Sequence, residues 1–378
     1  MNFLIPERFE YLTAEKKIPF GSINLQSVKL AYLIDKCIGE YYMDNAHFPL
    51  NAVVLIDILG EHYLRYIEYL IQNQFIQKVK GHSTSGHTST IYKLIDPLES
   101  VQVYKFSGFI LEKKLNKFHD KAKVDKIISP IPKSIRPKLI DDLYKIDLDF
   151  EPALHYVKSL SKMDPRKYLK NLSMVNKIKD REIFYTFDPY GRLHTNFTNL
   201  KREIREKYLS IEGEPLLYLD IRASQPFFLA QLLKKYHPDT PETQKFIDIN
   251  ENEDFYQYFV DQYPQRFHER NDVKKPIYQV LFDKNITRGQ FFFKKQFPSI
   301  FSFIKSYRGI YKIELWEALQ EMESDFIFNN VYINVIKSYP SIPLFTVHDS
   351  IYFQSKYYDG IKKIWDQKRE ELITRSIF

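Results

Sequence analysis

The sequence predicts an α+β protein, and three observations predict it. Residues 24 to 97 carry patterning in the order helix, helix, helix, strand, turn, strand. An apolar strand run ends on Asp220 and passes directly into an apolar helical run. Two β-rich runs flank Asp349. A chain of 378 residues has room for two or three domains of roughly 100–200 residues each. We expect boundaries near residues 97 and 183, with a small N-terminal domain over 1–97, a helical connector over 98–183 and a larger domain over 184–378.

In the first part, apolar residues at helical spacing mark a helix around Gln26–Tyr42. A second helix spans Asn51–Leu59 and stops at Gly60. A third runs from about Glu61 to Gln74, with Tyr63, Tyr66, Ile67 and Leu70 on one face. Phe75–Lys80 alternates as a strand does, a polar turn covers 81–87, and Thr90–Leu94 is the returning strand. That order is the order of a winged helix-turn-helix, which places its third helix in a major groove and its wing on phosphates. Arg65, Lys78, Lys80 and Lys93 are the candidate nucleic-acid contacts. Docking to a protein is the alternative use of such a unit.

The connector holds a helix breaker, Ile128–Lys133, and lysine-containing helical stretches at Leu111–Lys121, Lys138–Lys145 and Asp164–Lys179. These are either solvated faces or a grip on a duplex.

Composition narrows the class. Hydrophobic residues at 44% suffice for packed cores, and most of the 28 Tyr and 30 Phe are expected to fill them. The net charge of +7 suits a nucleic-acid partner without requiring one. The single cysteine, Cys37, excludes an internal disulfide and a Cys-rich zinc site. The first residues lack the apolar core of a signal peptide, and no stretch approaches about eighteen uncharged apolar residues. A cytoplasmic location is expected, in the host cytoplasm if the protein is viral.

Three motifs carry chemistry. In Leu216–Ala230 a strand delivers Asp220 to its end, Ser224 is the expected helix N-cap, and Pro226 suits the first turn. A carboxylate at such an edge can hold a cation, with the carbonyl of Ile221 as a further oxygen ligand. In Leu344–Phe353 the triplet His348-Asp349-Ser350 forms the tip of a tight hairpin. An ordinary turn aspartate is the alternative in both cases. Two aspartates on neighbouring strands suit a pair of Mg²⁺ ions, which take oxygen ligands and share them with substrate phosphates. Between these motifs, Arg270, Lys274, Tyr278 and Phe282 recur every four residues and share one helix face. Two cations and two rings in one stripe suit a triphosphate and a base. A mixed amphipathic face is the alternative, and Pro276 interrupts the helix pattern.

Taken in order, the three motifs resemble motifs A, B and C of the family A DNA polymerases and the related single-subunit phage-type RNA polymerases. The resemblance spans roughly residues 184–360. Asp188–Thr195 resembles the Gly-Arg segment that precedes motif A, and Asn250–Tyr258 the Asp-aromatic stretch between A and B. The resemblance implies a right-hand palm with an antiparallel sheet, helical fingers inserted at about 234–312, and a connector acting as a small thumb. It implies two Mg²⁺ ions, with Mn²⁺ as a substitute, on Asp220, Ile221 and Asp349, and a catalytic Lys274. Arg270, Lys274, Tyr278, Phe282 and Gln225 would hold the nucleotide, and Arg192 and His348 the nucleic acid.

Three positions depart from the family pattern. Gln225 stands where the DNA polymerases carry a sugar-excluding Glu, Phe282-Asp283 replaces Tyr-Gly, and Ser350 follows Asp349 as in the RNA polymerases. Phe282 has no hydroxyl for a ribose, which leans toward dNTP; Ser350 leans toward NTP. The expected function is a compact, exonuclease-free DNA polymerase of a phage or mobile element, working on a DNA template and primer strand. The alternatives are an RNA polymerase or primase on the same scaffold, a winged-helix initiator with an inactive palm, and a metal nuclease.

Overall fold

The computed structural model describes residues 1–43, 46–81, 90–95, 100–116 and 129–375. It is a mixed α+β fold with antiparallel sheets. The chain divides into two compact units, cut at other places than residues 97 and 183. The first takes 1–124, 146–186 and 195–213; the second takes 125–145, 187–194 and 214–378.

The first unit is built on the strand Asn2–Pro6, all of it buried, which pairs antiparallel with Val101–Lys105. The helix Ser27–Tyr42 buries Leu30, Leu33, Ile34, Cys37 and Ile38, a stripe at helical spacing. Asp35 accepts from the Leu4 backbone N–H at 2.9 Å and faces Lys177 at 3.6 Å, so its charge is compensated where helix meets strand. The helices Ala52–Leu59 and Tyr63–Gln72 follow, the first capped by Asn51, which accepts from the Val54 N–H. Strands Ile76–Lys80 and Ile91–Leu94 pair as expected. A two-residue strand, Phe48–Pro49, joins Ile91–Leu94 from the other side and is too short to show alternation in the sequence. Residues 82–89, with most of the expected polar turn, lie outside the described residues. The same holds for 117–128, where the expected Leu111–Lys121 helix ends; its described part is Phe109–Asn116. The helix Pro165–Lys179 is capped by Asp164 and buries Leu169, Leu172, Met174, Val175 and Ile178.

The second unit places Glu214–Asp220 beside Ser350–Gln354, with Leu216 opposite Gln354 and Asp220 opposite Ser350. Phe345–Val347 pairs on the other edge of Ser350–Gln354. The helix Ser224–Tyr236 is buried without a break from Ser224 to Leu233, which explains why its sequence is so largely apolar. Ser224 does not cap it. The N-cap is Ala223 in the left-handed region, and the Ser224 hydroxyl is drawn away to Glu323, a charged and therefore stronger hydrogen-bond partner than the helix end offers. The following helices pack a ring cluster of Phe246, Phe255, Phe259, Phe293 and Phe297, all buried. Arg270–Phe282 is one helix despite Pro276. The bond that Pro276 omits would have gone to the carbonyl of Asp272, an exposed first-turn residue where losing one bond costs little.

The expected breaker at 128–133 is tied down over its described part. Arg136, 1% exposed, donates to the carbonyls of Ser129 and Ile131 and lies over the Phe187 ring. Among the described residues no helix is long and apolar enough to cross a membrane.

One close approach in this unit is testable. Gly191 has φ +92°, and a Cβ there would lie 2.1 Å from Ser324 Oγ, whose hydroxyl donates to the Gly191 carbonyl at 2.8 Å. Gly213 has φ +77° but open space around it. Gly213→Ala is expected to cost about 1 kcal/mol from backbone conformation alone. Gly191→Ala is expected to cost at least about 2 kcal/mol more through the added clash. Denaturant midpoints of the two variants measure the difference, and equal losses would refute the close approach.

Candidate functional site

Two turns carry the expected carboxylates, and both are backbone outliers. Asp220 ends its strand, and three residues on Ala223 takes φ 50°. At the other tip His348 takes φ 52° immediately before Asp349. Non-glycine residues in the left-handed region cost of order 1–3 kcal/mol and need surrounding structure to hold them. Here a strand register does so: the Ile221 N–H donates to the Asp349 carbonyl at 3.3 Å, one step beyond the Asp220–Ser350 pair. The Ser350 hydroxyl is spent inside the hairpin, donating to the Val347 carbonyl at 2.7 Å.

Asp220 is exposed and Asp349 half-buried. Burial, and next the charge of Glu323 with that of Asp220, push the Asp349 carboxyl up to about 7, against its own backbone N–H and Arg192. Glu323 is the residue that the sequence motifs do not reveal. It sits on the helix Leu315–Ser324, one turn after the buried Leu319, and is 3% exposed. One of its oxygens accepts from Ser224 Oγ and Gln225 Nε2, each at 2.7 Å, and the other from Arg192 Nη2 at 3.0 Å. A Glu on an otherwise apolar stripe, four after Leu319 and three before Phe326, is the one signal the sequence carries for it. The helix then widens to π-helical bonding over Asp325–Tyr332.

Arg192 comes from a turn organised by Asp188, whose Oδ1 accepts from the N–H groups of Tyr190 and Arg192 at 3.0 and 2.7 Å. Burial raises the Asp188 carboxyl, but the bond from His194 and those two N–H groups outweigh it and hold it below its usual range. The His194 ring meets the His348 ring edge-on at 6.0 Å. Thus Arg192, Ser224 and Gln225 gather on one buried carboxylate, whose charge also reaches Asp349.

The stripe on Arg270–Phe282 keeps its face. Val273, Ile277, Val280 and Leu281 are buried, while Arg270, Lys274 and Tyr278 are exposed and Phe282 is half-buried. Phe282 stacks on Tyr278 at 5.7 Å. Arg270 is paired with Asp254 at 2.9 Å, and Lys274 lies 5.9 Å over the Tyr256 ring. Burial and then the charges of Asp349 and Glu323 raise the Tyr278 hydroxyl. A cavity of about 500 Å³ opens at the strand end, lined by Asp220, Ile221, Arg222, Glu253, Lys362 and Arg369 among others.

Among the described residues no three acidic, His or Cys side chains are arranged to hold a metal ion together. The two oxygens of Glu323 already accept three hydrogen bonds. Asp220 and Asp349 remain as oxygen donors of the kind Mg²⁺ takes, and a divalent cation would relieve the repulsion that raises Asp349. In the first unit, Arg65 is exposed and paired with Glu68 at 2.9 Å. The register puts Lys80 opposite Ile91 and Lys78 opposite Tyr92 across a bulge, so Lys80 and Lys93 share one face of the hairpin and Lys78 takes the other.

The raised Asp349 carboxyl makes a stability prediction. The folded state binds its proton more tightly than the unfolded chain, so stability is full below about pH 4 and falls as pH climbs to about 7. Asp349→Asn removes that loss. In metal-free buffer its melting midpoint is expected to exceed that of the parent by a few degrees at pH 8, with the gap narrowing toward pH 4. A parent that is equal or more stable at pH 8 would overturn the electrostatic account. Compared with protein-family models and with curated proteins, the sequence matches none, so the geometry of these side chains carries the functional argument.

Proposed function

We propose that the protein is a template-directed nucleotidyltransferase, first of all a DNA polymerase. The observation that carries this reading is the meeting of Asp220 and Asp349 at adjacent strand ends, where the Ile221 N–H donates to the Asp349 carbonyl. Asp220, Asp349 and the Ile221 carbonyl would hold paired Mg²⁺, which when bound activates the attacking hydroxyl and stabilises the leaving oxygen. Lys274 and Arg270 meet the phosphates, Tyr278 and Phe282 the base and sugar. His348 would meet the nucleic acid, and Arg192 would do so only with the part of its guanidinium that Glu323 does not hold. An antiparallel sheet with helices inserted between its strands supports the palm-and-fingers reading. Three helices with a three-stranded sheet support the winged-helix reading of the first unit.

An RNA polymerase or primase is the second reading. Ser350, the residue after Asp349, favours it.

Primer extension with dNTPs and NTPs in separate tubes tests the proposal. Asp220→Ala and Asp349→Ala are each expected to abolish incorporation while leaving DNA binding within a few-fold of the parent. Retained activity in either variant would end the two-metal reading. Lys274→Ala should impair nucleotide use far more than template binding; equal losses would make the stripe a general nucleic-acid patch. The double variant Lys80→Ala/Lys93→Ala should lower the salt slope of DNA binding by about 2 at most, one for each phosphate no longer neutralised. An unchanged slope would assign the hairpin to protein contacts.

A further inference from the structure

A cavity of about 690 Å³ lies among the helices Ser224–Tyr236, Pro298–Tyr311, Leu315–Ser324 and Tyr358–Arg375 of the second unit. It shares no lining residue with the cavity at Asp220. Its volume is that of a small-molecule pocket, for which about 300–1,000 Å³ is usual. The walls are largely apolar: Leu232, Ala318 and Phe326 are buried, and Ile313 and Tyr236 each leave 41% of their surface open. The charges in the lining do not balance. Lys234 is spent, its ammonium facing Glu251 at 2.5 Å and donating to the Ile373 carbonyl at 2.9 Å. Lys235 is exposed, with its Nζ 5.0 Å from the centre of the Tyr236 ring. Against it stand two exposed carboxylates. Asp325 accepts only from the neutral amides of Asn329 and Asn330, at 2.7 and 3.0 Å, and Glu321 has no partner among the described residues. Between these groups Tyr307 lines the cavity. It is 3% exposed, its ring packs on Tyr311 at 4.6 Å, and its hydroxyl forms no hydrogen bond among the described residues. A buried tyrosine hydroxyl usually finds a partner. Burial, then Tyr236, Tyr311 and the charge of Glu321, push this hydroxyl up to about 12, so it stays a neutral phenol whose oxygen accepts.

We propose that this cavity binds a small organic cation, an apolar body bearing a primary ammonium, with the ammonium between Glu321 and Tyr307 and the body against Leu232, Ala318, Met322 and Phe326. The proposal does not depend on the transferase reading. An ammonium carries three donors and no acceptor, which answers a lining left with an open carboxylate and an open phenol oxygen. The electron-rich faces of Tyr236 and Tyr307 favour positive charge beside them. The apolar walls supply the remaining contact, as in other small-molecule sites where few polar groups fix the orientation of a mostly apolar ligand. A neutral ligand of the same body keeps that contact and loses the charged bond. An anion meets two carboxylates and gains only Lys235.

The probe is dansylcadaverine, whose amine is protonated at neutral pH and whose fluorescence rises in apolar surroundings. Titrated with the full chain, it is expected to bind with a dissociation constant on the order of 10–100 μM, as its size allows. The same probe acetylated on its amine should bind about tenfold more weakly, the worth of one charged hydrogen bond. Glu321→Gln should weaken dansylcadaverine by about fivefold and leave the acetylated probe unchanged. Tyr307→Phe should weaken it by about threefold. Melting midpoints confirm that the variants are folded, and the exposed position of Glu321 keeps the first variant decisive if the second is not. Equal binding of the charged and acetylated probes overturns the proposal. So does an affinity that Glu321→Gln leaves unchanged, or no binding of dansylcadaverine at about 1 mM. A dansyl probe ending in a carboxylate that binds more tightly than the amine would assign the cavity to anions through Lys235 and overturn it as well.

Discussion

Glu323 lies on an otherwise apolar helix face, buried, with three donors drawn onto its two oxygens from two separate parts of the second unit. A buried carboxylate tolerates no missing partner, since an uncompensated charge costs several kcal/mol. This one requirement accounts for much of the local structure. It takes the hydroxyl of Ser224 away from capping, leaving Ala223 to open the helix in a left-handed conformation. It fixes the guanidinium of Arg192 at the end of a turn that Asp188 shapes and that Gly191 allows to pass close to Ser324. Its charge also reaches Asp349, so the hairpin tip is built against a standing repulsion.

That repulsion is the kind of cost that selection for stability alone would remove. Replacing one acid by an amide would relieve it, yet Asp220, Asp349 and Glu323 converge on one region of the sheet end. Arg192 offsets only part of the charge, being committed to Glu323. In the proposed function a divalent cation at the two aspartates would complete the balance. The helix Arg270–Phe282 offers cations on the same side, one of them tempered by Asp254 and the other by the Tyr256 ring. Contacts of this sort hold the two side chains in place.

The local elements are legible in the residues themselves, because their causes are local. Helical spacing marks Ser27–Tyr42 and Arg270–Phe282, and β-rich runs mark both strands that lead to Asp220 and Asp349. Arg270, Lys274 and Tyr278 fall on one face as their spacing requires, since a helix repeats its geometry whatever surrounds it. What faces what is another matter, settled by packing between distant segments. Glu323 is 98 residues from Gln225 and 131 from Arg192, and no periodicity spans such distances. Ser224 reads as a cap in sequence and is not one, because a distant carboxylate outcompetes the nearest backbone N–H groups. The strand Phe48–Pro49 exists only because Ile91–Leu94 lies beside it. Likewise the two faces of the Lys78–Lys93 hairpin are set by a bulge in the pairing, a property of two strands together and of neither sequence alone.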